Sequence, residues 1–305
     1  MGIECLTKYI NEHCKSCYYR KSLKYLRNKI IVVDINIYLY KFKQKGNFIE
    51  KLYLMCSKFR QNNIIAIFVF DGKPDINKNK CLEIRRKERE AARIEYNNLQ
   101  QKLKADNLEI NDLKQDNKYY IKLNELKSKL TTITQKDIIF ARTLFDIMGF
   151  QCIQSPYESD IMLASLMYNN SKIWGCMTED SDLFAYGCKH VIKYFNPYTT
   201  MITIYNTNSI LFSLDITWRE FQEICLLSKN DYHINSKYNF YQAMRMYKKN
   251  KNINISLPEN PYNKECHIPD ILHYNKEIIP NSLAQFLKPH DFIFVKKHPS
   301  VQLHS

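Results

Sequence analysis

Apolar residues recur with two periods along this chain. Residues 30–34 (IIVVD) and 64–70 (IIAIFVF) are continuous β-branched and aromatic runs, the pattern of parallel strands covered on both faces. Between them, 48–60 (FIEKLYLMCSKFR) repeats apolar residues at helical spacing, completing a β-α-β unit. Residues 78–130 are different: charged, rich in Asn and Gln, and strongly helix-forming. The spacing then predicts a helix over 135–149 closed by Gly149, a strand at 150–153, a helix at 156–168 and a strand at 173–177. A short helix over 180–186, strands at 190–195 and 201–205, and helices at 217–228 and 239–249 complete the pattern. The stretch 250–305 is rich in Pro, Asn and His and has weak periodicity.

This order predicts an α/β protein with a mostly parallel central sheet flanked by helices and a helical C-terminal part. A polar insertion as long as 78–130 cannot thread through a compact sheet, so it must project from it. It leaves just after Asp71-Gly72-Lys73-Pro74, at the carboxyl end of a strand, the edge where open parallel sheets bind ligands. The expected organisation is a core over 1–249 that includes the insertion, followed by a tail over 250–305.

Charge narrows the partners. Lys and Arg number 45 against 31 Asp and Glu, a net charge of +14, which favours nucleic acid or an anionic membrane surface. No apolar stretch approaches the roughly 18–20 residues needed to span a bilayer. The first residues, MGIECLTKYINEHCKS, mix acid and His into their apolar part and do not read as a signal peptide. Leu6 stands where myristoylation at Gly2 would want Ser or Thr. A soluble intracellular protein of the nucleus or cytoplasm is expected, with no membrane partner. Most of the ten cysteines lie in apolar runs and read as reduced, buried thiols. Cys14-x-x-Cys17 beside His13 has metal-ligand spacing but no second pair at finger distance; Cys188-x-His190 and Cys266-His267 stand alone.

Against this basic background, seven carboxylates fall at related places: Asp34, Asp71, Glu158, Asp160, Asp180, Asp182 and Asp231. Taken singly, an Asp at a strand end caps the next helix or starts a turn. Repetition at one edge of successive strands changes that reading, because crowded carboxylates repel and must take up protons or cations. Hard oxygen ligands in this number suit Mg²⁺ or Mn²⁺ rather than zinc. Ser155-x-x-Glu158 also has the form of a capping box, so Glu158 has a structural role open to it. Asp180 and Asp182, two apart in an extended or turning segment, can share one face. In the insertion, Lys78, Arg85, Arg86 and Arg89 fall at helical spacings that share a face, with Arg93 beyond. Glu83, Glu88, Glu90 and Glu95 make a solvated helix the alternative to a phosphate-facing one.

These blocks resemble the flap endonuclease and xeroderma pigmentosum group G class of structure-specific 5′ nucleases. The resemblance is carried by Met1-Gly2-Ile3 with Leu6, Val33-Asp34, Val69-Phe70-Asp71-Gly72-Lys73-Pro74, Pro156-Tyr157-Glu158-Ser159-Asp160, Thr178-Glu179-Asp180-Ser181-Asp182 and Asn230-Asp231-Tyr232, in order. It implies a PIN-like 5′ nuclease core with the insertion as a helical arch, and a reduced form of the kind found in poxviruses and other large DNA viruses. It further implies two Mg²⁺ ions, with Mn²⁺ able to substitute. Asp34, Asp71, Glu158 and Asp160 would surround one, and Asp180, Asp182 and Asp231 the other. Lys78 and Arg85 match the arch cations at the scissile phosphate, and Gly2, Arg86, Arg89 and Arg93 would meet DNA. Tyr40 matches an aromatic that stacks on a base near the cut; a core aromatic is the competing account.

The resemblance also has a gap. A Gly-x-Gly hairpin is expected after the last acid, yet Lys237 to Ala243 holds no glycine. The helix–two-turn–helix at 217–249 therefore reads as degenerate, with Lys248, Lys249 and Lys251 left to grip duplex by charge. The implied activity is metal-dependent cleavage of branched DNA with 5′ flaps during replication, recombination or repair, by a monomer working beside replication or recombination proteins. A 5′–3′ exoribonuclease and a non-catalytic nucleic-acid scaffold are the alternatives.

Overall fold

The structure is a computed structural model that describes residues 2–73, 78–105, 117–249 and 280–290. Seven strands form one sheet: β1 (Tyr18–Ser22), β2 (Ile30–Asp34), β3 (Ile65–Phe70), β4 (Gln151–Gln154), β5 (Ile173–Met177), β6 (His190–Lys193) and β7 (Met201–Asn206). Their order is β1-β7-β6-β5-β2-β3-β4. The five strands from β6 to β4 run parallel, while β7 pairs antiparallel with both β6 and β1.

Alternation within the strands feeds two cores. Val32, Ile67, Val69 and Cys176 face one side, against Leu6, Ile10, Leu163 and Phe184. Ile31, Val33, Phe68, Phe70 and Met177 face the other, against Phe42, Leu52, Phe59 and Phe145. Successive side chains of a strand point to opposite faces, so a run apolar at every position is what two covered faces require. The first face is covered by α1 (Leu6–His13), α7 (Ser159–Asn169), α8 (Asp182–Ala185), α9 (Thr207–Leu214), α10 (Trp218–Leu227) and α11 (Phe240–Lys249). The second is covered by α2 (Ile35–Gln44), α3 (Phe48–Gln61) and α6 (Gln135–Ile147), where Phe68 stacks on Phe145 at 4.0 Å.

The insertion forms α4 (Asn79–Ala105) and α5 (Lys118–Leu130), two helices packed against each other. Ala92, Leu103, Leu123 and Leu126 are buried, while Leu82, Ile84, Ile94 and Ile121 stay exposed. Most of the expected tail lies outside the described residues. Its one described helix, α12 (Pro280–Leu287), returns to the core: Leu283 and Leu287 are buried beside α6, and Phe286 stacks on Phe140 at 4.9 Å.

One local expectation changes. The helix foreseen from 156 begins at Ser159, with Glu158 as its N-cap residue in extended conformation. Pro156 disfavours helical conformation in Ser155 before it, and the Ser155 hydroxyl donates to the Glu158 carbonyl at 3.0 Å, holding the entry as a turn. The turn between α10 and α11 is made without glycine, and among the described residues none from 228 to 240 has a positive φ. That turn is fastened to the N-terminal segment: Glu4 N–H donates to the Lys229 carbonyl (2.9 Å), and Phe240 N–H donates to the Glu4 carbonyl (3.0 Å).

Candidate metal centre

The carboxyl ends of β2, β3 and β5 lie side by side at the middle of the sheet, where connections depart in both directions. Asp34 closes β2, Asp71 follows β3, and the turn after β5 carries Asp180 and Asp182. The loop after β4 delivers Glu158 and Asp160. Gly72 permits that approach. Its N–H donates to the Tyr157 carbonyl at 2.5 Å, and a Cβ there would lie 2.6 Å from the Pro156 carbonyl carbon.

Asp34 is buried and accepts from the hydroxyls of Ser159 (3.3 Å) and Thr178 (2.9 Å). Burial, with Asp71 and then Asp180 nearby, pushes its pKa up to about 7. Asp71 accepts from the Ser159 N–H at 2.8 Å and so caps α7 from a neighbouring strand. Asp180 accepts from the Asp182 N–H at 3.0 Å. The capping reading is thus correct for one oxygen of each of these two residues and leaves the others available.

Asp160, Asp180 and Asp182 each bring a ligand atom within 4.8 Å of the other two. This trio crosses the division between two metals that the resemblance implies. Oδ1 of Asp160 and Oδ1 of Asp182 are buried without a hydrogen-bond donor among the described residues. Burial and the neighbouring Asp180 raise both carboxyls, Asp182 to about 8 and Asp160 well above the usual carboxylate range. Two orphaned, mutually repelling oxygens are costly in a folded protein. A hard divalent cation removes both costs, and the all-oxygen donor set fits Mg²⁺ or Mn²⁺.

Glu158 does not form the expected capping box. No side-chain hydrogen bond caps α7 from that position. Its carboxylate accepts instead from the Tyr232 hydroxyl at 2.8 Å and pairs with Lys78 at 2.7 Å. Asp231 receives a two-pronged contact from Arg85 (2.9 and 2.8 Å) and lies 4.0 Å from Lys78. Burial opposes the charge on Lys78 and Arg85, but their acidic partners outweigh it and both pKa values rise. Two cations of the insertion therefore stand at the rim of the acidic cluster. Arg86 is exposed, Arg89 is half-buried, and neither is ion-paired among the described residues. Arg93 lies 3.9 Å from Glu90, and Lys87 pairs with Glu83 at 2.8 Å, the helix-surface pattern that the alternative reading expected.

Gly2 sits directly on the cluster. At φ +80° an added Cβ would overlap Asp180 Oδ1 and lie 2.5 Å from Ser181 Oγ and 2.7 Å from Asp182 Oδ1. Tyr40 is 43% exposed, which removes the core account; Tyr38 and Phe42 are the buried aromatics of α2. Cys14 and Cys17 are buried in the first core, and His13 packs on the Tyr9 ring at 4.3 Å. His190 binds the Trp174 carbonyl through Nδ1. Cys266 and His267, like Lys251, lie outside the described residues.

Several supporting residues have no pattern in the sequence that would single them out. Thr178 and Ser159 orient Asp34, and Tyr232 orients Glu158. Lys193 is buried beneath the β5 turn, where its ammonium donates to the carbonyls of Glu179 (2.8 Å) and Asp180 (3.2 Å). Burial lowers its pKa despite Asp180 and Glu179 nearby. Only the position of Lys193 at the end of an apolar strand hinted at a buried cation.

Comparison with known proteins agrees with this geometry. The XPG N-terminal domain matches residues 1–92 and the XPG I-region residues 149–231, together more than half of the chain. The chain is 27% identical over 286 residues to a probable RAD2-like endonuclease of Invertebrate iridescent virus 6, covering 77% of this chain and 68% of the relative. It is 24% identical over 312 residues to flap endonuclease 1 of Lodderomyces elongisporus, covering 95% and 76%. The fold resembles the catalytic core of Rad2 in complex with DNA substrate (TM-score 0.58, 17% identity, 98% of this chain and 83% of that one). It also resembles human GEN1 in complex with Holliday junction DNA (TM-score 0.56, 15% identity, 81% and 55%). No helix among the described residues is long and apolar enough to cross a membrane.

Proposed function

The chain belongs to the XPG family of structure-specific nucleases, and from that premise we propose that it cuts phosphodiester bonds in branched DNA with 5′ flaps, using divalent metal ions held at the strand ends. Mg²⁺ is the natural ion for an all-carboxylate site, with Mn²⁺ able to substitute. The observation that carries the reading is the pair of buried, donorless oxygens on Asp160 and Asp182, beneath Lys78 and Arg85. A scaffold that only held nucleic acid would gain nothing from acids that repel phosphate.

Asp160, Asp180 and Asp182 would hold metal, with Asp34 and Asp71 behind them and Glu158 and Asp231 at the rim. When bound, the ions supply positive charge at the phosphate and an activated water. The protein's own groups do the rest. Thr178, Ser159 and the Asp182 N–H fix the carboxylates in place before substrate arrives. Lys78 and Arg85 are free to exchange their carboxylate partners for the scissile phosphate, offsetting its developing charge. Arg85 presents the fork suited to two phosphate oxygens. Tyr40, exposed on α2, is available to stack on an unpaired base. Gly2, Arg86, Arg89 and Arg93 would line the path of the strand, and α4 with α5 would admit a single strand and reject uninterrupted duplex. The exposed last turn of α11, with Lys248 and Lys249, would hold duplex by charge.

The test is Asp180→Asn with a panel of flap, nicked, gapped and single-stranded substrates, in DNA and RNA forms. Loss of Mg²⁺-dependent cleavage with DNA binding retained is expected. Retained cleavage sinks the metal assignment, and cleavage confined to RNA replaces the substrate.

A further inference from the structure

The edge of the sheet opposite the acids has reversed charge. The chain between Glu12 and Asp34 holds no acid, and Lys15 before β1 with Arg27 and Lys29 before β2 stand at this edge. The neighbouring strand starts, 170–177 and 188–192, add Lys172 and Lys189, again without an acid. None of these cations forms an ion pair with a carboxylate among the described residues.

Aromatic rings hold part of this charge in place. Tyr19 and Tyr25 share a hydroxyl hydrogen bond at 3.3 Å, and Tyr25 meets Trp174 edge-on at 6.0 Å. Trp174 stacks on His190 at 4.2 Å. The Lys29 ammonium lies 4.2 Å from the Trp174 ring centre and 4.8 Å from that of Tyr25. Such contacts orient an ammonium without neutralising it. Burial lowers the pKa of His190, and Lys189 and Lys29 lower it further, a sign of positive potential at this edge.

We infer that this basic, ring-braced edge is a second nucleic-acid surface, which takes the phosphate backbone of a duplex arm away from the cleavage site. Lys29 and Asp34 stand at opposite ends of one strand, about 17 Å apart at some 3.3 Å per residue. A scissile phosphate at the acids is therefore not the phosphate held here. The Trp174 face is already occupied by His190, so the surface favours backbone charge over base stacking. Tyr25 and Tyr168 beside these strand starts are exposed but carry hydroxyls, and the row of cations matches a phosphate backbone rather than an apolar partner.

The proposal goes beyond the cleavage reading and is tested without it, by binding a short blunt-ended duplex to the full chain in EDTA. Arg27→Gln/Lys29→Gln/Lys189→Gln is expected to weaken affinity at least tenfold. It should also flatten the dependence of log K on log salt by roughly two to three units, the effect of losing three phosphate contacts. Mg²⁺-dependent turnover of a saturating short flap should be unchanged. Lys15→Gln/Lys172→Gln, at exposed positions before β1 and β5, provides an independent variant if the triple change unfolds the protein, and should weaken binding in the same sense. Unchanged affinity and salt slope overturn the proposal. So does polyglutamate binding that depends on the same three cations while duplex binding does not.

Discussion

Asp34, Asp160 and Asp182 are buried between the two cores, whereas α4, 27 residues long, buries only Cys81, Ala92 and Leu103. The acids sit on strand ends that the two cores fix rigidly. The arch cations hang from a helix anchored at its base by the ion pairs of Lys78 and Arg85. One region fixes geometry and tolerates electrostatic conflict; the other carries mostly exposed charges, with two cations paired at its base. The proposed chemistry on a threaded strand would need both, since side chains fixed to hold ions cannot also move aside for the substrate.

The comparison breaks most sharply at the acids themselves. Asp160→Asn should abolish cleavage yet raise the melting temperature in EDTA, by about 2–4 °C for each kcal/mol of repulsion removed. The pH dependence has the same origin. Folded Asp34 and Asp182 keep their protons up to about 7 and about 8, while unfolded Asp loses its proton near 4. Between these values the folded state binds more protons, so stability is greatest below about pH 4 from these groups and falls as pH rises through 7–8. Melting in EDTA should therefore drop from pH 5 to pH 8, and Mg²⁺ should restore it. A rise over that range would contradict the crowding described here.

At the loose region, Arg85→Ala should slow saturated cleavage by about 10²–10³-fold, as when one charge-stabilising donor is removed, with little change in melting. A large loss of stability would instead make Arg85 structural. Between the regions, Gly2→Ala drives a methyl group against Asp180 and Asp182. Metal affinity, read by calorimetry, should fall roughly 10–100-fold, the usual scale for disturbed ligand support. Least affected should be Lys87→Gln on the exposed arch surface. Its pair with Glu83 is worth about 0.2–0.5 kcal/mol, and both cleavage and melting should stay near wild type.

Much of the fold was legible because strand runs and amphipathic helices have distinct periods. The β2-α3-β3 unit, α6, β5 and α10 fall where the pattern predicts. Part of the acidic cluster was legible too, since Asp34, Asp71 and Asp180 end apolar runs, and Asp180 is one of the three acids the structure gathers with Asp160 and Asp182. What the pattern could not carry is contact between distant segments. The capping-box spacing at Ser155 and Glu158 predicted a local bond, but the Glu158 carboxylate turns to Tyr232 and Lys78, which are remote in sequence. Thr178, Ser159 and Lys193 look like ordinary strand and turn residues until the sheet brings them beneath the acids. β1 and α12 were missed for a related reason: the first is a short edge strand rich in Lys and Arg, and the second follows a long aperiodic stretch.

The turn after α10 and the first residues of the chain share one strip of backbone, because Glu4 bonds Lys229 on one side and Phe240 on the other. Gly2, at the end of that strip, rests against Asp180 and Asp182. A duplex held on α10 or α11, as proposed above, would load the same piece of chain that touches Asp180 and Asp182.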